Sequence, residues 1–380
     1  MTRFRLLTLC LLLVAGVAAC TRSPPPEPLV DPTYFATDNP RSLKDWGMVQ
    51  VSGGALVLGE RVTPYDLTTP LFTDYAQKLR TIWMPAGVPA DYRPDDVLSF
   101  PVGTVITKTF FYQTGPGGRV LQQADQALIH DGEGLNLKKV RMVETRLLIH
   151  RPDGWAALTY LWNEAQTEAV LHRIGAVVPL TLARQDGKDE RFSYIVPNVT
   201  QCSACHATDV ATRVIHPIGP KARLLNRDFA YSDGTENQLT HLTRLGYLRG
   251  LADPKDAPAD VAWTDKGASL DARARAYLDV NCGHCHNPDG PADTSGLYLD
   301  AATPISRASG VCKLPVAAGP GTGNLRFDIV PGDARASIIP YRMASTNPAV
   351  MMPEIGRSTA HAEGTALVRF WIDSMEGSCR

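Results

Sequence analysis

The sequence predicts an α+β, multidomain protein in which a β-rich, sandwich or barrel-like N-terminal domain precedes two smaller segments that contain helices. Three observations support this fold class. Apolar residues recur mostly with a period of two between about residues 48 and 200. Helical periodicity follows only beyond that region. The 29 prolines and 31 glycines favour a loop-rich, β-containing architecture over a helical bundle.

The composition is that of an ordinary globular protein. The chain has 380 residues, of which 44% are hydrophobic and 20% are charged, enough for two or three domains with a sizeable core. Its net charge is −1 and it contains no basic run, so we expect no nucleic-acid partner.

The first 42 residues resemble an export signal followed by a tether. Two arginines precede an apolar run that ends in Val17-Ala-Ala-Cys20, which predicts a lipoprotein signal peptide over 1–19 and an acylated Cys20. A plain signal peptide with a cysteine near the cleavage point is the alternative. Residues 20–42 begin with a proline-rich stretch and form the tether. We therefore expect a protein on the periplasmic side of a membrane, anchored to the outer membrane in preference to the inner one.

The β-rich domain is expected over 43–197. Residues 102–112 are rich in β-branched and aromatic side chains, which predicts a strand. Residues 144–150 and 155–162 are predicted to pair as a hairpin through the intervening Arg-Pro-Asp-Gly turn. A last strand at 194–197 leads out of the domain.

Two copies of one cysteine–histidine motif follow the β-rich domain. The first is Cys-Ser-Ala-Cys-His at 202–206, and the second is Cys-Gly-His-Cys-His at 282–286. Cys-x-x-Cys-His is the attachment sequence for c-type haem, because two thiols three positions apart add to the porphyrin vinyl groups and the histidine becomes the proximal iron ligand. The sequence thus predicts two covalently bound haem c groups. The predicted thioether residues are Cys202, Cys205, Cys282 and Cys285, and the predicted proximal ligands are His206 and His286.

A structural zinc site and a redox dithiol are the alternatives. Four thiolates could bind zinc, but 80 residues separate the two pairs (202 to 282), far more than ordinary zinc-site spacing. A thioredoxin-like dithiol needs a βαβ context and no following histidine. Both alternatives leave the histidine after each pair unexplained. The export signal agrees with haem, since covalent haem attachment takes place outside the cytoplasm.

Each motif lies in a segment with helical periodicity. The first haem segment, 198–262, contains a stretch at 236–248 with leucines at helical spacing. The second segment, 263–380, has predicted helices at 270–280 and 361–375. A haem-bearing helix crossed by an aromatic C-terminal helix is the basic frame of a small cytochrome c. We therefore expect 263–380 to be an all-α, class I-like cytochrome c domain.

The sixth iron ligand is predicted for the second haem and stays open for the first. Met352 precedes Pro353, which stiffens the loop where the sulfur must point, and Met351 is its competitor. For the first haem, His216 and His241 are candidates, with His241 expected on the polar side of its helix. An open coordination position is the third possibility.

The cysteine count leaves one further pair. Of eight cysteines, Cys10 leaves with the signal peptide, Cys20 carries lipid and four hold haem. Cys312 and Cys379 remain, and in an oxidising compartment a leftover pair is bridged more often than free. We predict a disulfide that attaches the C-terminus to the second haem domain, with two buried thiols as the alternative.

These features resemble a known family. Region 280–375 is similar to bacterial c-type cytochrome domains, and the chain from about 65 to 375 resembles exported dihaem c-type cytochromes with an N-terminal β-rich region. The stretches that carry the likeness are Leu71-Phe-Thr-Asp74, Trp162-Asn-Glu164, Pro217-Ile-Gly-Pro220, Asn281-Cys-Gly-His-Cys-His286, Ile329-Val-Pro-Gly-Asp333, Met352-Pro353 and Phe370-Trp-Ile372. The resemblance implies proximal roles for His206 and His286, thioether roles for the four motif cysteines, Met352 as a distal ligand, and electron transfer as the function.

We therefore expect a periplasm-facing dihaem c-type cytochrome that carries single electrons between redox partner proteins. The alternative is an enzyme, a peroxidase-like dihaem oxidoreductase with an open coordination site at the first haem. The two functions differ in whether the first haem binds an exogenous ligand.

Overall fold

The computed structural model describes most of the chain beyond its N-terminus. The described residues are 29–123, 130–131, 134–207, 209, 211–316 and 318–380. The predicted signal peptide, the acylated Cys20 and the start of the tether lie outside them. Within these ranges, no helix combines the length and the apolar character that a membrane crossing requires.

Strand outweighs helix in the described part of the chain, which contains seventeen strands and six α-helices. The strands are β1 (Val49–Ser52), β2 (Ala55–Leu58), β3 (Thr63–Tyr65), β4 (Gln77–Trp83), β5 (Ala90–Asp91), β6 (Val105–Gln113), β7 (Val120–Leu121), β8 (His130–Asp131), β9 (Gly134–Asn136), β10 (Val140–Arg151), β11 (Gly154–Trp162), β12 (Ala169–Leu171), β13 (Ala176–Ala183), β14 (Asp189–Val196), β15 (Asp228–Tyr231), β16 (Gly234–Asn237) and β17 (Leu248–Arg249). The helices are α1 (Val199–His206), α2 (Ala222–Leu225), α3 (Gln238–Arg244), α4 (Leu270–Leu278), α5 (Ile338–Ala344) and α6 (Ala362–Asp373).

A six-stranded antiparallel sheet lies at the centre, in the order β12-β11-β10-β6-β4-β3. Its long strands are rich in β-branched and aromatic residues, which suit a pleated, packed surface. β10 and β11 pair as far as Arg151 opposite Gly154, so the predicted hairpin is confirmed. A four-stranded sheet, β1-β2-β9-β8, and a three-stranded sheet, β14-β13-β7, pack against the central sheet.

Alternate residues of β6 show what covers each face of the central sheet. Phe111 lies on the face that packs with Trp46 and the four-stranded sheet. On the opposite face, Ile106 joins a cluster with α2 and α3, and Phe110 joins a cluster with the three-stranded sheet. Lys108 lies between Ile106 and Phe110 on that same face, where it lines a cavity. The cysteine–histidine motifs line the cavity with it.

The predicted α+β fold class, with an all-α, class I-like cytochrome c domain over 263–380, is wrong. The α-helices described in that range, α4, α5 and α6, have 9, 7 and 12 residues. Between α4 and α5 the chain forms turns and short 3-10 segments, and an isolated parallel bridge joins Val311 to Ile329. Prolines and glycines recur through this stretch and interrupt helices, because proline lacks an N–H and glycine loses more backbone entropy. The described chain is therefore mostly β, with six helices.

Single helix predictions fare better than the domain prediction. The helix expected at 270–280 forms as α4, and the one at 361–375 forms as α6. The stretch at 236–248 yields only the shorter α3. Asn237 caps that helix by accepting a hydrogen bond from the Leu239 N–H (2.9 Å), while the residues before it pair in the β15-β16 hairpin.

Candidate functional site

The first cysteine–histidine motif lies on α1, whose start is set by Asn198. The Asn198 side chain accepts a hydrogen bond from the Gln201 N–H (2.8 Å), and the Gln201 side chain accepts one from the Asn198 N–H (3.0 Å). This capping box satisfies two donors that the first helical turn leaves unpaired. Cys202 and Cys205 are three positions apart and therefore lie on one face of the helix.

The second motif follows α4 through a π-helical turn, Asp279–Gly283. Ser269 caps the start of α4 by accepting a hydrogen bond from the Ala272 N–H (3.1 Å). A Cβ atom at Gly283 would lie 2.8 Å from the Cα atom of Asp300, so the close approach of these two backbone segments requires glycine. The remaining motif residues follow this turn directly.

Main-chain carbonyl oxygens orient both motif histidines. Nδ1 of His206 lies 2.9 Å from the carbonyl oxygen of His216. Nδ1 of His286 lies 3.2 Å from the carbonyl oxygen of Leu297. A carbonyl oxygen can only accept, so each Nδ1 carries the proton and each Nε2 keeps its lone pair. No hydrogen bond joins either Nε2 to another described residue. Burial lowers the pKa of both imidazoles to about 4, so both are neutral near pH 7.

The two motifs line one cavity of about 590 Å³. Its walls come from α1, the second motif, strands β4, β6 and β10, and the loop that carries Met352. The side chains of Cys205 and Cys285 meet in the cavity, although 80 residues separate them in the sequence (205 to 285). This contact lowers the pKa of Cys205 and raises the pKa of Cys285, because the Cys285 thiol acts as the donor toward the Cys205 sulfur.

The loop after α5 brings Met352, and not Met351, to the cavity wall. The buried guanidinium of Arg357 holds this loop. It donates hydrogen bonds to the carbonyl oxygens of Met352 (2.9 Å), Ser345 (2.8 Å) and Thr359 (3.0 Å). These bonds determine the backbone position from which the Met352 sulfur projects. Of the two methionines that the sequence offers as ligands, only Met352 therefore lines the cavity.

The two histidines considered for the first haem lie outside the cavity. The side chain of His216 is exposed, and its carbonyl oxygen binds Nδ1 of His206, on the side of that ring away from Nε2. His241 is buried, with 4% of its surface exposed. Its Nε2 lies 3.1 Å from Thr63 Oγ1, and its Nδ1 lies 3.1 Å from Glu236 Oε2. His241 was expected on the polar side of its helix, and in the structure the β15-β16 hairpin covers that side.

Sequence reasoning missed a row of cations on the cavity wall. Arg80, Lys108 and Arg146 lie on β4, β6 and β10, and the two arginines are the cross-strand neighbours of the lysine. Lys78 precedes Arg80 by two positions and lies on the same face. Burial lowers the pKa of Lys108 to about 7, and the charges of Arg146 and Arg80 add to this effect. The sequence contained one indication of this row, since Lys108 is the one charged residue in a strand rich in β-branched and aromatic side chains.

A second missed group surrounds His361 at the edge of the cavity. Nδ1 of His361 lies 2.9 Å from the Tyr277 hydroxyl, and the ring stacks on Phe72 with a centroid distance of 4.2 Å. Glu363 accepts a hydrogen bond from the Tyr75 hydroxyl (2.7 Å). Burial lowers the pKa of His361 to about 4. These contacts join the region of the central sheet to α6.

Cys312 and Cys379 form a disulfide bond, with their Cα atoms 5.2 Å apart and a sequence separation of 67. This is the pairing that the cysteine count predicts. The four motif cysteines are free thiols in the described chain. Cys20, the predicted lipid site, lies outside the described residues.

The donor set of the cavity fits haem. Each motif supplies two thiols and one imidazole with a bare Nε2, and the Met352 loop adds a thioether sulfur. Three side chains of the cavity wall, those of His284, Arg357 and Thr365, have a buried polar atom with no hydrogen-bond partner among the described residues. Across the described ranges, no three His, Cys, Asp or Glu side chains converge as a metal-binding group. A four-thiolate zinc site requires such a group, whereas haem iron takes only one or two protein ligands.

Comparison of the sequence with protein-family models and with curated proteins, and of the structure with solved structures, gave no match.

Proposed function

We propose that this chain is a dihaem c-type cytochrome that carries single electrons between redox partner proteins on the periplasmic side of a membrane. The observation that carries the proposal is the tautomer of the two motif histidines and the absence of a described partner at their Nε2 atoms. Each has Nδ1 bound to a carbonyl oxygen and an Nε2 that no described residue occupies. A histidine that binds iron uses Nε2 in this way, because the hydrogen bond at Nδ1 selects the tautomer and holds the ring in place.

In this proposal each motif holds one haem. The thioether bonds form at Cys202, Cys205, Cys282 and Cys285, and the proximal ligands are His206 and His286. A bound haem supplies a one-electron Fe(III)/Fe(II) couple. Met352 offers its sulfur to the second iron, and a thioether ligand favours Fe(II) and so raises the reduction potential. Both attachment sites line the same cavity.

The haem content of the mature protein tests this proposal. The protein is purified from a host that has a c-type haem maturation system. A pyridine haemochrome assay should give two c-type haems per chain, and the tryptic peptides of both motifs should carry added porphyrin mass. Replacing Cys202 and Cys205 with serine should leave one haem. The same change at Cys312 and Cys379, as a control, should leave two. A colourless mature chain with unmodified motif peptides would refute the proposal.

A peroxidase-like dihaem oxidoreductase is the second candidate. One observation favours it: neither His216 nor His241, the two histidine candidates for the first haem, lines the cavity. An iron without a sixth protein ligand binds exogenous ligands. Titration of the reduced protein with CO separates the two functions. Binding at one iron of the two supports the oxidoreductase, and binding at neither supports the electron carrier.

The proposal includes membrane anchoring through Cys20. Labelling cells with radioactive palmitate should mark the wild-type chain, which should fractionate with membranes. The Cys20→Ala variant should carry no label, because the thiol that accepts the acyl chain is gone. A variant that is still labelled would contradict this part of the proposal.

A further inference from the structure

Two of the four basic side chains in the cation row have no carboxylate partner among the described residues. Arg80 pairs with Asp66 (2.8 Å), and Arg146 pairs with Glu144 (2.9 Å). For Lys108, no carboxylate of a described residue lies within salt-bridge distance. Like charges on cross-strand neighbours repel each other, and the repulsion grows where water is displaced.

Lys78 is the second lysine of the row without a carboxylate partner. Its Nζ donates a hydrogen bond to the carbonyl oxygen of Leu71 (2.8 Å), which carries no formal charge. The four basic side chains of the row therefore face two carboxylates, and both lysines are left without one. Burial and the neighbouring cations lower the pKa of each lysine. An anion in the neighbouring space would instead keep both lysines charged.

The cation row lies beside the first motif. Helix α1, which carries that motif, packs against β11, and the Cys202 thiol lies against Thr159 of that strand. Thr159 is the cross-strand neighbour of Arg146, which in turn lies opposite Lys108. The row thus belongs to the surroundings of the first attachment site.

We propose that Lys108, with Lys78 and the flanking Arg80 and Arg146, binds the two propionate carboxylates of the haem attached to the first motif. The inference rests on the proposed function, because it requires a haem at that motif. A haem carries two propionates, and the wall offers two lysines that have no carboxylate partner. Paired carboxylates also match the donors, since arginine and lysine form charge-assisted hydrogen bonds with carboxylate oxygens.

Two readouts of the holoprotein test the assignment. In resonance Raman spectra, the propionate bending mode should shift to lower frequency in Lys108→Met, because the mode reports hydrogen bonding to the carboxylates. In a spectroelectrochemical titration, the midpoint potential of one haem should become more negative, because a nearby positive charge favours Fe(II) over Fe(III). Lys108→Arg should restore both signals. Lys188→Met, at a side chain that is 82% exposed, should change neither.

Several outcomes are decisive. If Lys108→Met does not accumulate, Lys108→Gln is measured in its place with the same expectations. The propionate assignment is overturned if Lys108→Met changes neither the bending mode nor the potentials. The proposed function is judged separately, by the haem count of the wild-type chain, and it stands if that count is two. A free inorganic anion is the other source of negative charge. If a free anion binds at the row, added phosphate would change the midpoint potentials of the wild-type protein. The propionate bending mode would then not respond to Lys108→Met. These results would also overturn the propionate assignment.

Discussion

Arg357 shows how one buried side chain sets the position of a functional one. Its guanidinium donates to four carbonyl oxygens, those of Arg342, Ser345, Met352 and Thr359. Hydrogen bonds from a charged group are each worth roughly 1.5–3 kcal/mol, more than neutral ones. A loop held in this way keeps the Met352 sulfur at the cavity wall.

The first prediction concerns the two neighbouring methionines. In the oxidised holoprotein, Met352→Ala should abolish the red Met–Fe(III) charge-transfer band, because Met352 lines the cavity. Met351→Ala removes the same side-chain volume one position away and should keep the band. Absorption spectra of both variants make the comparison. A band that survives in Met352→Ala and disappears in Met351→Ala would reverse the assignment.

The second prediction concerns pH. Burial lowers the pKa of His361 to about 4, whereas an unfolded histidine has a pKa of about 6.5. Between these values the unfolded chain binds more protons than the folded chain. Stability should therefore fall as the pH drops from about 6.5 to about 4, by at most about 1.4 kcal/mol per pH unit from this residue.

Urea unfolding at a series of pH values checks this linkage. His361→Gln should flatten the slope between about pH 6.5 and 4, since glutamine does not titrate. The control is His216→Gln, at an exposed side chain whose carbonyl oxygen is unchanged. Equal slopes for the wild-type and His361→Gln chains would show that His361 does not make this contribution.

At the scale of elements, α1 and α6 are stabilised in different ways. α6 buries one side, including Leu367, Val368 and Trp371, so packing supports it. α1 has eight residues and buries none of them fully. A helix this short is marginal on its own, so its capping box matters more.

The third prediction follows from that difference. Asn198→Ala should destabilise α1 by about 1 kcal/mol, because it removes the side chain that accepts the Gln201 N–H. Hydrogen exchange of the amides at 199–206 should become faster, while exchange in α6 stays the same. Asn198→Asp keeps an acceptor at the cap and should retain most of the protection. Unchanged exchange in Asn198→Ala would mean that the cap does not limit this helix.

At the scale of the whole molecule, the cavity exists because the C-terminal part of the chain docks against the N-terminal part. Asp74, which is 1% exposed, accepts hydrogen bonds from the Ser358 N–H (2.7 Å), the Thr359 N–H (2.7 Å) and the Thr359 hydroxyl (2.9 Å). The Phe72 N–H donates to the Asn281 side chain, one residue before the second motif (2.8 Å). These contacts bring the second motif to the sheet that supports the first.

The fourth prediction tests this docking. Asp74→Ala leaves three buried donors without an acceptor and should lower the free energy of unfolding by about 3 kcal/mol or more. Calorimetry of the holoprotein should then resolve separate transitions for the two parts of the chain. Asp74→Asn keeps one acceptor oxygen and should lose less. Asp186→Ala, at an exposed side chain, is the matched control. A single unshifted transition in Asp74→Ala would show that this contact does not couple the two parts.

The sequence by itself determined the features that depend on neighbouring residues. The two motifs, the β10-β11 hairpin, and helices α4 and α6 follow from spacing, turn residues and periodicity within a few positions. The Cys312–Cys379 pairing followed from the cysteine count, because the other six cysteines had an assigned use.

Only the tertiary structure decided which distant residues meet. Lys108 stands out in the sequence as the one charged residue of β6, but periodicity does not say what covers its face or which cations lie beside it. The burial of His241 and the contact between Cys205 and Cys285 depend on chain segments far away in the sequence. The prediction of an all-α cytochrome c domain over 263–380 failed, although the helices expected at 270–280 and 361–375 form, because these two helices do not determine the structure of the chain between them. Local preferences select elements, whereas packing and buried hydrogen bonds between remote segments select the arrangement that makes the site.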